Sequence, residues 1–262
     1  MSKIAVAISG GKDSTATLLK AIEEYGKNVI GIFVDTGFES SITYNYINYL
    51  QETLDIQIFK IRSKKYKDLP NLIKVKKKFP FIKYRFCTIL LKVMPIIEFL
   101  SQQKQITEIW SGIRLEESKS RKIKYKHFLP NIVYNYSEYL KITAKSVNKN
   151  LKQSVKHIGC KFPILYWKEV DVFNYIKKKK VKINPLYSKG FTRVGCYPCI
   201  LAKKIEFELC WLDPEGKRNI LLLASIEKEL NEKGFHTKLK PHISAQQMVE
   251  YLRKKEIQRS LF

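Results

Sequence analysis

Short apolar runs alternate with amphipathic stretches along the first 111 residues. Four short, mainly apolar runs read as strands, at 4–9, 29–34, 56–61 and 106–110. Three stretches between them have helical spacing of their apolar positions, at 15–24, 42–54 and 89–100. Strands that are apolar on both sides suit a parallel sheet covered by helices on both faces. The repeated strand–helix order predicts an α/β fold with a doubly wound, mostly parallel sheet.

Two basic stretches interrupt this pattern, at 62–83 and 141–156. The first interleaves lysines with Tyr66, Phe79 and Phe81. Basic and aromatic residues together suit the phosphates and bases of a nucleic-acid strand, and a solvated basic loop is the alternative. The second stretch predicts a mobile lid or a linker.

The remaining pattern predicts a strand after Cys160 and helices near 220–233 and 244–254. We therefore divide the chain into an α/β domain at 1–204 and a small C-terminal helical appendage at 205–262.

The chain carries 49 lysines and arginines against 24 acidic residues, a formal net charge of +25. A charge of this size attracts polyanions, so nucleic acid is a candidate partner. The alternative is a compositional bias of the genome, since 41 of the basic residues are lysine and 8 are arginine.

No run of 18 apolar residues occurs, and the first residues lead directly into a strand pattern without a signal sequence. We expect a cytoplasmic protein without a membrane partner. Five cysteines in a reducing compartment favour metal binding or catalysis over disulfides.

The segment Ser9-Gly10-Gly11-Lys12-Asp13-Ser14 follows an apolar strand and precedes a helix. Backbone N–H groups at a helix N-terminus bind anions, and the two glycines permit close approach. Lys12 can neutralise a phosphate, Ser9 and Ser14 can donate hydrogen bonds, and Asp13 can hold Mg²⁺ or a water. We predict that this loop binds the phosphates of an adenine nucleotide.

This loop resembles the PP-loop of the adenine nucleotide α-hydrolase superfamily, and further elements resemble its PAPS reductase family. They are Val34-Asp35-Thr36-Gly37-Phe38, then R-x-C-x4-K-x2-P from Arg85 to Pro95, G-x-R-x-x-E-S-x-x-R from Gly112 to Arg121, the stretch 163–176, and R-x-G-C-x-x-C from Arg193 to Cys199.

The resemblance implies a HUP-like PP-loop fold and a set of site residues. It assigns catalytic roles to Lys12, Asp13, Arg114 and Arg121, and it places the two arginines beside the loop. Nucleotide binding falls on the loop residues Ser9, Gly10, Gly11, Lys12, Asp13 and Ser14 and on the adenosine-binding residues Asp35, Thr36 and Gly37.

The same resemblance brings Cys87 near the Cys196-x-x-Cys199 loop. Three thiolates from separate segments suit a 4Fe–4S cluster whose fourth ligand is Cys160, Cys210 or a non-protein group. Zinc and unliganded thiols are the alternatives. Thr88 stands where assimilatory APS reductases have a second cysteine, and Cys160 and Cys210 also fit as small buried residues.

Three functions follow. Reductases of this family attack sulfur with a cysteine near the C-terminus, and no cysteine follows Cys210 here. The first hypothesis is therefore an ATP pyrophosphatase, with Mg²⁺, that adenylates a nucleic-acid group for sulfur insertion, as in DNA phosphorothioation systems. DNA is favoured over tRNA, and a cysteine desulfurase is a possible partner. The second is a PAPS or APS reductase that uses thioredoxin, and the third is a non-catalytic nucleotide-binding subunit.

Overall fold

The fold is a twisted six-stranded sheet flanked by helices, in a computed structural model that describes residues 2–260. The strand order is β3-β2-β1-β4-β6-β5, and every neighbouring pair is parallel except β5 with β6. The strands are β1 (Lys3–Ile8), β2 (Val29–Val34), β3 (Ile58–Ile61), β4 (Ile106–Ser111), β5 (Tyr134–Asn135) and β6 (Gly159–Lys161). This confirms the α/β class and the mostly parallel sheet.

Twelve α-helical segments occur in the described part of the chain. They are α1 (Lys12–Tyr25), α2 (Ser41–Leu54), α3 (Leu69–Lys76), α4 (Phe86–Thr88), α5 (Met94–Ser101), α6 (Lys119–Tyr125), α7 (Tyr136–Thr143), α8 (Lys149–Gln153), α9 (Glu169–Lys178), α10 (Lys204–Trp211), α11 (Pro214–Glu232) and α12 (Ala245–Ser260). A π-helical segment, Ile89–Val93, joins α4 to α5, and 3-10 turns lie at Gly26–Asn28 and Leu115–Glu117.

The two faces of the sheet bury different side chains of β1. Ile4, Val6 and Ile8 pack on one face in a core with residues of α1, α2 and α9. Ala5 packs on the other face, in a core with residues of α5 and α7. All six residues of β2 are buried, as expected for an interior strand of a parallel sheet. Helices on both faces make the sheet doubly wound.

The C-terminal helices share a third core with the segments that follow β2 and β3. Phe207, Leu223 and Met248 belong to the same cluster as Phe38 and Leu72. Residues near 220–233 and 244–254 are helical, as their pattern predicts. The domain boundary at residue 204 stays a prediction.

The basic stretch 62–83 differs from the loop that the sequence suggested. It contains α3, and Tyr66 and Phe79 are only 6% and 3% exposed in the third core. Both rings are therefore unavailable for stacking on bases, whereas Phe81 is 39% exposed. The apolar positions of this stretch had helical spacing that its lysines obscured.

Two further expectations need correction. Cys160 lies inside β6 and pairs with Ile109 and Tyr134, so the strand includes this cysteine and does not follow it. The stretch 141–156 contains the end of α7 and all of α8, and Asn148 begins α8 by accepting a hydrogen bond from Asn150 N–H. It is a folded segment with a capped helix.

Within residues 2–260 no helix is long and apolar enough to cross a membrane.

Candidate functional site

The segment 9–14, which we call the PP-loop, lies where the connections of the sheet change direction. β1 is flanked by β2 and β4, and the chain leaves β1 first toward β2 and β3 before it returns on the other side as β4. Open α/β sheets bind ligands outside the carboxyl ends of the strands at such a switch point. The PP-loop follows β1, Asp35 follows β2, and Arg114 comes shortly after β4, so all three belong to this edge.

Hydrogen bonds around the first turn of α1 fix the conformation of the PP-loop. Gly10 has φ +75°, and a Cβ there would approach Thr43 Cγ2 to 2.9 Å. Ser14 Oγ donates to Gly11 O at 2.9 Å and accepts from Ser9 N–H at 3.2 Å. The loop therefore needs glycine at position 10 for both its conformation and its packing.

Arg114 is the buried cation of the site. It is 2% exposed, and its Nε lies 2.6 Å from Asp13 Oδ1. One of its terminal nitrogens lies 2.8 Å from Glu116 Oε2. Burial works to lower the pKa of Arg114, but the carboxylates of Asp13 and Glu116 outweigh it and raise that pKa. The guanidinium is thus a permanent positive charge against the loop.

Gly112 brings this arginine to the PP-loop. A Cβ at position 112 would lie 2.6 Å from Asp13 O and 2.9 Å from Ser14 N. Those atoms are backbone and cannot move aside cheaply. Only glycine lets the chain after β4 run against the loop.

Lys12 is the second cation and is 6% exposed. Its Nζ lies 3.3 Å from Asp13 Oδ2 and 3.1 Å from Glu169 Oε1. The same ammonium lies 5.5 Å from the centre of the Tyr187 ring and 5.9 Å from that of Phe173. Lys12, which is predicted to bind a phosphate, is therefore held in place by carboxylates and aromatic rings.

Tyr187 is bonded directly to the loop, because Lys12 N–H donates to its hydroxyl at 2.9 Å. Burial raises the pKa of Tyr187, so the phenol keeps its proton and can donate it to an anion. Asn184 Nδ2 donates to Gly10 O at 3.1 Å. Glu169 lies in the stretch 163–176 that resembled a family motif, but the sequence carried no sign that it, Asn184 or Tyr187 contacts the loop.

Asp35 accepts hydrogen bonds from Tyr44 Oη at 2.6 Å and from Gly37 N–H at 2.7 Å, and it pairs with Arg62. Burial works to raise the pKa of Asp35, but these partners outweigh it and hold that pKa below its usual value. Gly37 has φ +67°, and a Cβ there would lie 2.5 Å from Asp68 Cβ. Asp35 is a fixed carboxylate at the edge where ribose or adenine is expected.

Thr36, a predicted nucleotide-binding residue, hydrogen-bonds to Glu39. Its N–H and Oγ1 donate to the two carboxylate oxygens at 2.9 Å and 2.7 Å. Burial raises the pKa of Glu39, against the opposing effects of Lys92 and Thr36. Thr43 beside Gly10 is fully buried, and its hydroxyl has no partner among the described residues.

The Cys196-x-x-Cys199 loop is tied by its backbone to the segment after Asp35. Cys196 forms an antiparallel bridge with Glu39, and Tyr197 N–H donates to Phe38 O at 2.6 Å. Asn219 of α11 donates to Tyr197 O at 2.7 Å from the other side. These bonds place the loop beside the carboxyl edge of the sheet.

Cys87, Cys196 and Cys199, which we call the thiol site, pack against the same core. Burial opposes a charge on Lys92, but its electrostatic interactions with Cys196, Glu39, Cys199 and Cys87 raise its pKa. Burial raises the pKa of Cys87, and it raises that of Cys196 to about 12. The three cysteines predicted as ligands thus pack against one core, and their convergence on a cluster stays a prediction.

Within residues 2–260 no group of three or more His, Cys, Asp or Glu side chains is placed to hold a metal ion. A ready-made single-ion site for zinc is therefore not formed there. The donor set, three thiols beside an ammonium, still suits the chemistry of an iron–sulfur cluster, which stays a prediction.

The two remaining cysteines differ in position. Cys210 is buried in the same core as the thiol site, whereas Cys160 is buried in the core under β4 and β6. Burial raises the pKa of both thiols, that of Cys160 to about 12. Their burial agrees with the interpretation as small core residues.

Among the described residues, Arg121 forms no hydrogen bond or ion pair with the PP-loop. It pairs with Glu117 one turn earlier, and its side chain is 41% exposed. The structure thus joins Arg114 to the loop and leaves Arg121 on an adjoining surface.

The model of the phosphoadenosine phosphosulfate reductase domain matches residues 3–202. An uncharacterised protein of Methanocaldococcus jannaschii is 29% identical over 200 residues, 75% of this chain and 36% of that protein. An adenosine 5′-phosphosulfate reductase of Bacillus cereus is 26% identical over 216 residues, 76% of this chain and 74% of that protein. The solved U34-tRNA thiolase of Methanococcus maripaludis, with its 4Fe–4S cluster, is similar at TM-score 0.47 and 18% identity, over 88% of this chain and 72% of that chain.

This chain spans only 36% and 43% of the length of two M. jannaschii relatives that it matches. The match to the domain model covers most of the chain, including the PP-loop, the Arg114 element and the thiol site. The chain belongs to the phosphoadenosine phosphosulfate reductase domain family.

Proposed function

We propose that this chain is an ATP pyrophosphatase that adenylates an oxygen of a nucleic-acid group, on DNA rather than tRNA, for sulfur insertion. The observation that carries the proposal is the meeting of two buried cations, Lys12 and Arg114, on one carboxylate of the PP-loop. Such a pair at a helix N-terminus is suited to a departing pyrophosphate.

The reaction has two displacements. An oxygen of the acceptor attacks the α-phosphorus of ATP, and the bond between that phosphorus and the pyrophosphate oxygen breaks. Lys12, Arg114 and the backbone N–H groups of the PP-loop stabilise the charge on the pyrophosphate. Hydrosulfide then displaces AMP, which leaves with the acceptor oxygen, so no oxidant or reductant is needed.

The charges of the network support Mg²⁺ as the companion of ATP. Lys12 and Arg114 face the three carboxylates of Asp13, Glu116 and Glu169, with Glu169 N–H also donating to Glu116 at 2.7 Å. Two positive and three negative groups sum to one negative charge, which repels a bare triphosphate. Mg²⁺ coordinated mainly by phosphate oxygens reverses that sign.

The thiol site supports sulfur chemistry at the same edge. Cys87, Cys196 and Cys199 would hold the 4Fe–4S cluster, which would supply iron able to bind sulfide. Lys92 interacts electrostatically with these cysteines and would balance part of the negative charge of a cluster that they hold. Thr36 contacts both Glu39 and Cys196 Sγ. A cysteine desulfurase is the proposed source of the sulfur.

The second candidate is a sulfonucleotide reductase that uses thioredoxin. The relative from B. cereus, which is named an adenosine 5′-phosphosulfate reductase, favours it. The PP-loop cations suit a phosphosulfate as well as a pyrophosphate, since both are anions with tetrahedral oxygens.

The test follows two products from anaerobically purified protein. We expect pyrophosphate release from ATP that DNA stimulates, and no sulfite from PAPS or APS with reduced thioredoxin. The Lys12→Met variant serves as the control for contaminating ATPases. Sulfite release that depends on thioredoxin would instead establish the reductase and overturn the first proposal.

A further inference from the structure

A groove with a volume of about 900 Å³ adjoins the candidate site. Arg85, Phe86 and Thr88 line it on both sides of Cys87 in the chain, and Ile113 lines it directly before Arg114. The lining of the groove thus includes the chain neighbours of Cys87 in the thiol site and of the buried Arg114. We call it the basic groove.

Its charges all have one sign. Six cationic side chains line it, and no aspartate or glutamate does: Lys76, Lys83, Arg85, Arg121, Lys124 and Lys145. Within the described part of the chain, Arg121 alone among them pairs with a carboxylate, that of Glu117. A comparable depression over 51–58, at the amino end of β3, has a volume of about 540 Å³ and no basic residue. The basic groove is therefore a local concentration of positive charge, distinct from the general basicity of the chain.

The cations are close enough to oppose one another. Lys124 is an exposed residue, and its ammonium group donates to Thr143 O at 3.3 Å. Partial burial of this group and the charges of Arg121 and Lys145 lower the pKa of Lys124. An anion in the groove would relieve this repulsion.

Apolar and aromatic side chains are exposed between these charges. Tyr84 is 45% exposed, Ile82 70% and Ile142 55%, and all three line the groove. The Tyr84 ring is tilted against those of Phe81 and Phe86, at 6.0 and 5.4 Å between ring centres. Exposed rings among cations suit a single strand, because its unpaired bases can stack on the rings while its phosphates meet the cations. A duplex keeps its bases inside and cannot use the rings in this way.

We propose that the basic groove binds a single strand of DNA, with phosphates on Lys83, Arg85, Lys124 and Lys145 and a base stacked on Tyr84. This deepens the proposed function and rests on it for the choice of DNA. A strand held here passes beside both the adenylating site and the thiol site, which is the position an acceptor oxygen requires.

The experiment measures fluorescence anisotropy of a labelled single-stranded DNA oligonucleotide with the full chain and without ATP. We expect the Lys83→Glu/Lys145→Glu variant to lose at least roughly tenfold in affinity, and its salt slope to fall by about 1.4, or about 0.7 per lost phosphate contact. The matched control is Lys104→Glu/Lys254→Glu, which makes the same charge change at two exposed lysines outside the groove. An equal loss in the control would show that total charge alone binds DNA and would overturn the assignment.

Tyr84→Ala tests the stacked base, with Tyr84→Phe as its partner. Loss of one stacking contact is expected to weaken single-strand binding roughly tenfold, while phenylalanine retains it. Duplex DNA or polyglutamate that competes as well as the single strand would overturn the proposal, and so would an RNA strand that binds more tightly.

The outcome is separable from that of the proposed function. Binding is measured without ATP. If the groove binds a strand but the protein releases no pyrophosphate, this inference stands and the proposed ATP pyrophosphatase function is wrong. Pyrophosphate release stimulated by DNA, without any effect of the groove substitutions on binding, would do the reverse.

Discussion

The nucleotide site and the basic groove both collect positive charge, but they hold it differently. Lys12 and Arg114 are buried, and each contacts two carboxylates at 2.6 to 3.3 Å. The groove cations are mostly exposed, and among the described residues only Arg121 has a carboxylate partner. Buried cations that are already paired can hold one small anion in a fixed position when that anion replaces a carboxylate as their partner. Unpaired, exposed cations suit a long flexible polyanion, whose binding is driven by counterion release.

The largest expected effect separates catalysis from strand binding. Lys12→Met keeps the buried stem but removes the charge that stabilises pyrophosphate, so we expect pyrophosphate release to fall roughly 10²- to 10³-fold. Single-strand affinity should stay at the wild-type value, since Lys12 does not line the groove. A parallel loss of both would mean that the two regions are one site.

Gly112→Ala tests the contact that joins Arg114 to the PP-loop. The added Cβ would lie 2.6 Å from Asp13 O, and we expect a loss of about 1–3 kcal/mol in unfolding free energy together with weaker ATP binding. Denaturant unfolding and ATP titration measure the two effects.

The matched control for this substitution is Gly195→Ala, where a Cβ meets no atom within 4 Å. We expect its unfolding free energy to stay near the wild-type value. An equal loss in both variants would remove steric contact as the explanation.

Lys124→Gln probes the groove through pH. Its pKa is lowered from 10.5, so its charge is lost at a lower pH than that of an ordinary lysine. We expect single-strand affinity to fall as pH rises toward 10.5, and Lys124→Gln to reduce this dependence and to lower the salt slope by about 0.7. Anisotropy titrations at several pH values measure both, and an unchanged pH profile would place Lys124 outside the strand contact.

The smallest effect concerns the support of the nucleotide site. Glu23 near the end of α1 accepts hydrogen bonds from Lys179 and Tyr175, which lower its pKa from 4.5 to about 2. A lowered carboxylate pKa stabilises the fold above pH 4.5, and this contribution is lost as pH falls toward 2. Since Glu23 is 45% exposed, we expect Glu23→Gln to cost only about 0.5 kcal/mol at neutral pH, measured by urea unfolding.

Once the pH falls below about 2, where the carboxylate is protonated, the wild-type and Glu23→Gln proteins should have equal stability. A difference that persists there would mean that the substitution disturbs packing and not charge.

The sequence predicted the first four strands because their runs are mainly apolar with little competing pattern, as Val29–Val34 shows, but it did not predict the two-residue strand β5. It also predicted the positions of the PP-loop and Arg114, because a glycine-rich turn between a strand and a helix, together with an arginine, is typical of an anion-binding site. It missed Glu169 and Tyr187, whose contacts with Lys12 span more than 150 positions of the chain. It also missed α3, because lysine is common in helices and in solvated loops alike, and only burial distinguishes Tyr66 from Phe81.

The hydrogen bond from Asn219 to the Cys196-x-x-Cys199 loop has a consequence for the order of assembly. The nucleotide edge is built by β1, α1 and β2 from the first 34 residues, whereas the core beneath the thiol site also needs Phe207, Leu223 and Met248. Because that core closes a much longer stretch of chain, we expect this loop to be protected late in pulsed hydrogen exchange during refolding. The proposed cluster would then be inserted after the nucleotide edge has folded.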